Sequence, residues 1–160
     1  IPSPQDPVCR SSTNAVILWD TKWRPDQKDV LAREAAAADG LARFFEKSGC
    51  FSSAALRRLP EISKEAIEGT VAEAAARNER VVLISVRELG PTVKIGSSLA
   101  LVDGATEVVL DFSEYEPTKP APRTFTVQWR SGGPGVLKGV ATLPQDMQAA
   151  LAAGLQPPAQ

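Results

Sequence analysis

The chain has 160 residues, the size of one ordinary domain with a sizeable apolar core. Its 43% hydrophobic and 23% charged residues are typical of a globular protein, and 18 basic and 19 acidic residues are well mixed, for a net charge of −1. It has no stripe of Lys or Arg, so nucleic-acid binding is not expected, and no apolar run is long enough to span a bilayer.

The chain begins with a proline-rich segment. Its first residue is Ile1 rather than Met, so we expect that a signal peptide or lipid-attachment segment has been removed. Three prolines within the first seven residues disfavour helix formation and sheet pairing. We therefore predict a tether over 1–13, a single α/β domain over 14–157 and a tail over 158–160.

The first half of the chain alternates between strand and helix patterns. Residues 15–19 form a continuous apolar run, typical of a strand that is buried on both faces. A helix is predicted from Asp26 to about Ser48, followed by a weaker strand, a helix capped by Ser63 and a central strand over 81–89. The predicted inward stripe of the first helix is Leu31, Ala35, Ala38, Leu41 and Phe45.

In the second half of the chain, apolar and polar side chains alternate with the two-residue period of strands. Asp103 and Gly104 are predicted to form the turn of a hairpin between 97–102 and 106–115. Residues 123–130 alternate between apolar and polar side chains, 131–135 are predicted to form a loop, and a last helix follows Pro144 with Met147, Leu151 and Leu155 inward. The predicted order is β-α-β-α-β-β-β-β-α: an α/β (α+β) domain with a mixed parallel and antiparallel sheet and helices packed on it.

The two cysteines lie just before the first two strands. If those strands are parallel neighbours joined by a right-handed crossover, Cys9 and Cys50 lie at the same end of the sheet. We predict a disulfide between them, the alternative being two separate buried thiols. Such a bridge implies an oxidising compartment such as the periplasm.

Most catalytic and metal sites are not supported by the composition. The chain has no histidine, which excludes Ser-His and Cys-His pairs, and two cysteines are too few for a closed zinc site. The glycines of 132–135 lack the Gly-Lys-Ser/Thr ending of a phosphate-binding loop, so no cofactor is expected.

Three carboxylates remain as candidates for chemistry. Asp111 is expected to face solvent, whereas Glu114 and Glu116 share the parity of the apolar residues Leu110 and Phe112. A hydrolytic carboxylate pair or a divalent-cation site is left open here as an alternative.

Two aromatic segments are candidate docking sites. Trp23 lies beside an arginine in a polar segment, which is the composition of an interface hot spot; alternatively it folds back over the start of the first helix as a lid. Trp129 shares a face with core residues but precedes a glycine-rich stretch. The candidate partner-binding residues are Trp23, Arg24, Trp129, Arg130, Gly132, Gly133 and Gly135.

The layout resembles a known family of envelope proteins. A strand ends near Asp20, a long helix closes on 48–51, and a second helix, the strand over 81–86 and the stretch over 99–109 follow. This arrangement, over about 14–155, is similar to the family typified by the N-terminal domain of TolB, with the lipoproteins CsgG, LpoB and PelC. Two features depart from it: the lipid-bearing cysteine is not at position 1, and 129–135 is not a family signature.

The resemblance implies a function as well as a fold. We expect a non-enzymatic lipoprotein of the periplasm, anchored to the outer membrane of a Gram-negative bacterium by a lipid on a removed N-terminal cysteine. It would dock other envelope proteins in an assembly, secretion or transport machine, alone or as a homo-oligomer. The alternatives are an auxiliary lipoprotein of a lipid-transporting ABC system, with an apolar groove, and a carboxylate-dependent hydrolase.

Overall fold

A computed structural model describes residues 10–23, 30–47, 50–58, 63–95, 102–116, 122–134 and 143–155. The elements in chain order are β1 (Arg10–Thr21), α1 (Val30–Lys47), β2 (Phe51–Arg58), α2 (Lys64–Ala76), β3 (Arg80–Ile95), β4 (Val102–Tyr115), β5 (Arg123–Pro134) and α3 (Leu143–Leu155). No helix in these ranges is both long and apolar enough to cross a membrane.

The strands form one mixed sheet in the order β2-β1-β3-β4-β5. The strand β1 runs parallel to both of its neighbours, β2 and β3, so that Ile17 lies between Leu56 and Val82. The strands β3, β4 and β5 then pair in antiparallel fashion. The predicted single α/β domain with two crossover units and a mixed sheet is confirmed.

Helices cover the two faces of the sheet unequally. The main core lies on the face that packs against α1 and α3, and includes Ile17, Trp19 and Phe112. A smaller cluster on the opposite face, which includes Val16 and Leu18, packs against α2. Because successive side chains of a strand point to opposite faces, the apolar run of β1 is buried on both sides, as predicted.

The inward face of α1 differs from the predicted stripe. Leu31 is 83% exposed, whereas Arg33 is buried. A Cβ at Gly40 would lie 2.6 Å from the Cβ of Met147, so α1 and α3 cross in close contact at this glycine. Tight packing against α3 therefore sets the inward face, which consists of Arg33, Ala36, Ala37, Gly40, Leu41, Phe44 and Phe45.

The other two helices follow the prediction. The hydroxyl of Ser63 accepts a hydrogen bond of 3.1 Å from the backbone N–H of Ala66, which caps α2 at its N-terminus. In α3, Met147, Leu151 and Leu155 are fully buried in the main core.

The predicted hairpin turn at Asp103-Gly104 is wrong. Both residues lie inside β4, where Asp103 pairs with Lys94 and Gly104 pairs with Val93. The strand β3 continues through Pro91 to Ile95, with an irregularity in register between Val86 and Glu88. The described part of the sheet therefore has five strands where the predicted order has six.

The predicted loop over 131–135 is also wrong for its described part. Gly132 pairs with Ala105 and Gly133 pairs with Gly104, so the glycine-rich stretch extends β5 alongside β4. The flanking ladder supplies the hydrogen bonds that hold these glycines in a strand, although their local propensity favours a turn. Gly135 lies outside the described residues.

Candidate functional site

Among the described residues, β5 is the longer of the two edge strands of the sheet. This strand has 12 residues, and among the described residues it pairs only with β4. A strand at the edge of a sheet turns every second backbone N–H and C=O away from its neighbour. We refer to the outer side of Arg123–Arg130 as the β5 edge.

The two faces of the β5 edge differ in polarity. Thr124, Thr126 and Gln128 are exposed on the face opposite α3. Phe125, Val127 and Trp129 are half-buried and pack against the main core. The alternation predicted for 123–130 is confirmed, and it places the core aromatics at the margin of the sheet.

The margin of the core beneath the β5 edge is firmly packed. The rings of Phe112 and Phe125 stack with centroids 4.9 Å apart. A Cβ at Gly154 of α3 would lie 2.9 Å from side-chain atoms of both Phe112 and Val127. The helix thus lies directly on β4 and β5, so the β5 edge is held on a rigid support.

Natural edge strands usually carry features that oppose further pairing. These include charged side chains, prolines and short strand length. Between Thr124 and Trp129 the β5 edge has no charged residue and no proline. It consists instead of Thr, Phe, Val, Gln and Trp, most of which favour strands.

The opposite edge, β2, is a shorter strand, and its two arginines are adjacent at its carboxyl end. It has 8 residues and ends in Arg57 and Arg58, both exposed. The guanidinium of Arg58 lies 5.0 Å from the centre of the Trp19 ring and 3.0 Å from a carboxylate oxygen of Glu34. At the carboxyl end of β2, the side chain of Arg58 is therefore already bound by residues of its own domain.

The Trp23 side chain packs against its own domain. It is half-buried, packs against the main core, and its Nε1 donates a hydrogen bond of 3.2 Å to Glu34. The Thr21 hydroxyl donates to the same carboxylate at 3.2 Å. Trp23 thus covers the core beside α1, which is the lid arrangement. Its role in partner binding stays a prediction, and Arg24 lies outside the described residues.

The pKa of Glu34 is lowered by the groups around it. The hydrogen bond from Arg58 is the main cause, and those from Trp23 and Thr21 add to it, while partial burial acts in the opposite direction. Glu34 therefore joins the end of β1, the end of β2 and α1 through its ionised form.

The three candidate carboxylates do not converge on one site. Asp111 accepts a hydrogen bond of 2.6 Å from the Thr126 hydroxyl and lies 3.5 Å from Arg87, on the open face of the sheet. Glu114 is buried and is bound by Arg80 at 2.8 Å and by Arg123 at 3.3 Å.

Glu116 completes this ion-pair network. Its carboxylate lies 2.5 Å from the second terminal nitrogen of Arg80, so Arg80 binds both Glu114 and Glu116. Charge-assisted hydrogen bonds of this kind are strong, so the network ties β3, β4 and β5 together. Among the described residues, no group of three or more His, Cys, Asp or Glu could hold a metal ion.

A small polar pocket lies just beyond the carboxyl end of β1, over the middle of β3, β4 and β5. Its volume is about 360 Å³, and it is lined by Lys22, Arg87, Glu88, Glu107, Val109 and Gln128. Nearby, the buried Asp20 accepts a hydrogen bond of 2.7 Å from Ser85. Both cationic and anionic side chains line the pocket, so its lining favours neither an anionic nor a cationic ligand.

An apolar groove runs along α2 on the less covered face. Its volume is about 560 Å³, and Ile67, Val71, Ala75, Tyr115 and Pro122 form its apolar lining. Lys64, Glu68 and Glu116 also line it. The groove could not be inferred from the sequence, because it depends on how little of α2 the sheet covers.

Two residues of the network were also missed. Arg80 and Arg123 each begin a strand, a position at which an arginine is commonly solvated. The only sequence signal was that Glu114 alternates in step with the apolar residues of its strand. This position predicts a buried carboxylate, and a buried carboxylate requires a cationic partner.

Comparison with known proteins gives a partial likeness in structure. No protein-family model matches the sequence, and no curated protein matches it. A PelC dodecamer structure from Paraburkholderia phytofirmans aligns with a TM-score of 0.49 and 16% identity, over 96% of this chain and 94% of that chain. Lipoprotein GNA1162 from Neisseria meningitidis aligns with a TM-score of 0.42 and 12% identity, over 87% of this chain and 95% of that chain.

Proposed function

We propose that this chain is a non-enzymatic docking component of a cell-envelope assembly, secretion or transport machine. In this proposal it is tethered by a lipid at the outer membrane and faces the periplasm. The observation that supports docking is the β5 edge, a long strand with no charge or proline between Thr124 and Trp129. The envelope location rests on the resemblance of the layout to TolB-like envelope proteins.

Strand addition is the mode of binding that this edge suits. A partner segment in extended conformation gains main-chain hydrogen bonds to the edge, and side-chain contacts on the two faces add specificity. The strand presents those hydrogen-bonding groups on a support fixed by α3 and the Phe112–Phe125 stack. Little ordering of the docking strand is then needed on binding.

The test uses charge substitutions at exposed positions of the two edges. Thr124→Glu with Gln128→Glu places carboxylates on β5, and Ser53→Glu with Ala55→Glu is the matched control on β2. Each tagged chain is expressed in its native host, and the proteins that co-purify from the envelope fraction are quantified. We expect the β5 variant to lose its partner and the β2 variant to keep it, with equal melting temperatures. Equal capture by all three chains would contradict docking at β5.

A second candidate function is favoured by the apolar groove along α2. An auxiliary lipoprotein of a lipid-transporting system needs an apolar surface for an acyl chain, and the groove provides about 560 Å³. Organic extraction of the purified chain followed by mass spectrometry should then recover a lipid. Ala72→Glu, at an exposed position lining the groove, should abolish recovery. A chain that carries no lipid would rule this candidate out.

A further inference from the structure

We propose that Arg33 and Pro91 together prevent a partner strand from adding to β3, in the part of this strand that extends beyond β1. Among the described residues, β1 pairs with β3 only as far as Val86, whereas β4 pairs with β3 up to Ile95. We refer to the side of 88–95 that faces away from β4 as the β3 edge. The inference goes beyond the docking function proposed above, and it holds whether or not a partner binds at β5.

The irregularity in register after Val86 sets which backbone groups face the β3 edge. The carbonyl oxygen of Val86 points toward β1, where it accepts a hydrogen bond of 2.9 Å from the backbone N–H of Lys22. Strict alternation would next turn Glu88 to that side, but one residue is inserted here and the alternation moves by one position. Leu89 and, two residues further, Pro91 therefore have their backbone N and O atoms on the β3 edge.

The side chain of Arg33 occupies the β3 edge at Leu89. It is buried on the inward face of α1, and its Nη1 donates a hydrogen bond of 2.7 Å to the carbonyl oxygen of Leu89. A Cβ at Gly90 would overlap the same nitrogen, so the guanidinium lies directly against the backbone of the strand. An added strand would need this carbonyl oxygen as an acceptor. Arg33 therefore takes both the hydrogen bond and the space that such a strand requires.

Pro91 removes a hydrogen-bond donor from the same edge. Proline has no backbone N–H, so within a sheet it is confined to positions where that group would face away from the neighbouring strand. Pro91 pairs with Thr106 of β4, and the alternation that begins at Leu89 turns its backbone nitrogen to the β3 edge. A strand added there would find no donor at this position, and proline on an edge opposes such pairing.

The β5 edge differs from the β3 edge in this respect. The strands β3 and β5 lie on either side of β4, and both pair with it in antiparallel fashion. Between Thr124 and Trp129, however, the β5 edge has neither a proline nor a charged side chain. Of these two strands, only β5 is therefore left able to accept a further strand along its outer side.

The test removes the two obstacles and measures whether the β3 edge then accepts a strand. Arg33→Ala removes the donor and its bulk, Pro91→Thr restores a backbone N–H, and Arg43→Ala, at an exposed position of the same helix, is the control. The probe is a synthetic peptide of alternating valine and threonine with a lysine at each end. We expect the peptide to slow amide hydrogen exchange over 88–95 at least about tenfold in the double variant of Arg33 and Pro91. It should have no such effect in the wild type or in Arg43→Ala.

Two results would overturn the inference. Unchanged exchange over 88–95 in the double variant would show that Arg33 and Pro91 are not what excludes a strand. Slowed exchange there in the wild type would show that the β3 edge is open.

Gly90→Ala gives an independent variant in case Arg33→Ala does not fold. Its methyl group should displace the guanidinium while Arg33 stays on α1, so Gly90→Ala with Pro91→Thr should also admit the peptide over 88–95. Alone, Gly90→Ala should lower the melting temperature of the wild type but not that of Arg33→Ala, because the overlapping atoms are then gone. Equal decreases in both backgrounds would contradict the contact between Arg33 and the β3 edge.

Discussion

At the scale of single residues, charged side chains decide how the strand ends are held. Glu34 joins Arg58, Trp23 and Thr21 at one end of the sheet, and Glu114 joins Arg80 and Arg123 at the other. The first group lies partly in solvent and the second is buried, so the two carboxylates should respond differently to substitution.

The pH dependence of stability should report on Glu34. Its folded-state pKa lies below the ordinary value of 4.5, so its stabilisation is complete above that pH and is lost as the pH falls through the lowered pKa. Glu34→Gln should therefore reduce the free energy of unfolding at neutral pH, and the difference from wild type should shrink in acid. Urea unfolding across this range measures it, with Glu46→Gln, exposed on the same helix, as the control. A difference that grows in acid would contradict the pairing.

Two carboxylates of β4 give a matched comparison of burial. Glu114→Ala leaves the guanidinium of Arg80 without one of its partners in a buried site and should cost about 3–5 kcal/mol. Asp111→Ala removes a partly exposed carboxylate and should cost about 1 kcal/mol or less. Chemical denaturation of both variants measures the costs. Equal losses in the free energy of unfolding would show that the ion pairs of Glu114 do not stabilise the sheet as their geometry indicates.

At the scale of elements, glycines set how closely the helices approach. Gly40 of α1 faces Met147 and the carbonyl oxygen of Pro144, whereas a Cβ at Gly69 of α2 would have nothing within 4 Å. Gly40→Ala should push α1 from α3 and destabilise the fold by about 1–3 kcal/mol. Gly69→Ala should stabilise it by about 0.5–1 kcal/mol, because alanine favours helix and meets no obstacle. Thermal unfolding measures both changes in stability. If both substitutions stabilise the fold, or both destabilise it, the packing assigned to these glycines is wrong.

Elements with a strong local signal were predictable from the sequence. The apolar run of β1, the Ser63 cap and the inward row of α3 depend on neighbouring residues, and all three are confirmed. The Asp103-Gly104 turn failed because a local turn signal was outweighed by pairing with β3 and β5. The face of α1 failed because it depends on contact with α3, which lies far along the chain.

The candidate site was predictable only where its features depend on neighbouring residues in the sequence. Alternation over 123–130 indicated which side chains face inward. It could not indicate that β5 is an edge strand, because strand order depends on pairing between distant segments. For Trp23 the sequence offered both an exposed anchor and a lid over the start of α1, since nothing in its neighbourhood shows that Glu34 of α1 accepts its hydrogen bond.

At the scale of the whole molecule, the parallel pairing of β1 and β2 bears on the cysteines. Arg10 pairs with Phe51, which is the register that a Cys9–Cys50 bridge requires, and Cys50 is fully buried. Cys9 lies outside the described residues, so the bridge stays a prediction. Thiol titration of the denatured, unreduced protein should find no free thiol, and reduction should lower stability by about 4 kcal/mol. Two titratable thiols would show that the bridge does not form.

The central claim is that the sheet docks a partner through β5 and not through β2. A photoreactive amino acid placed at Gln128 on β5, or at Ala55 on β2, tests it in intact cells of the native host, since both positions are exposed. We predict that irradiation yields a discrete adduct with another envelope protein from position 128 and none from position 55. Adducts from position 55 alone, or from neither position, would contradict the account.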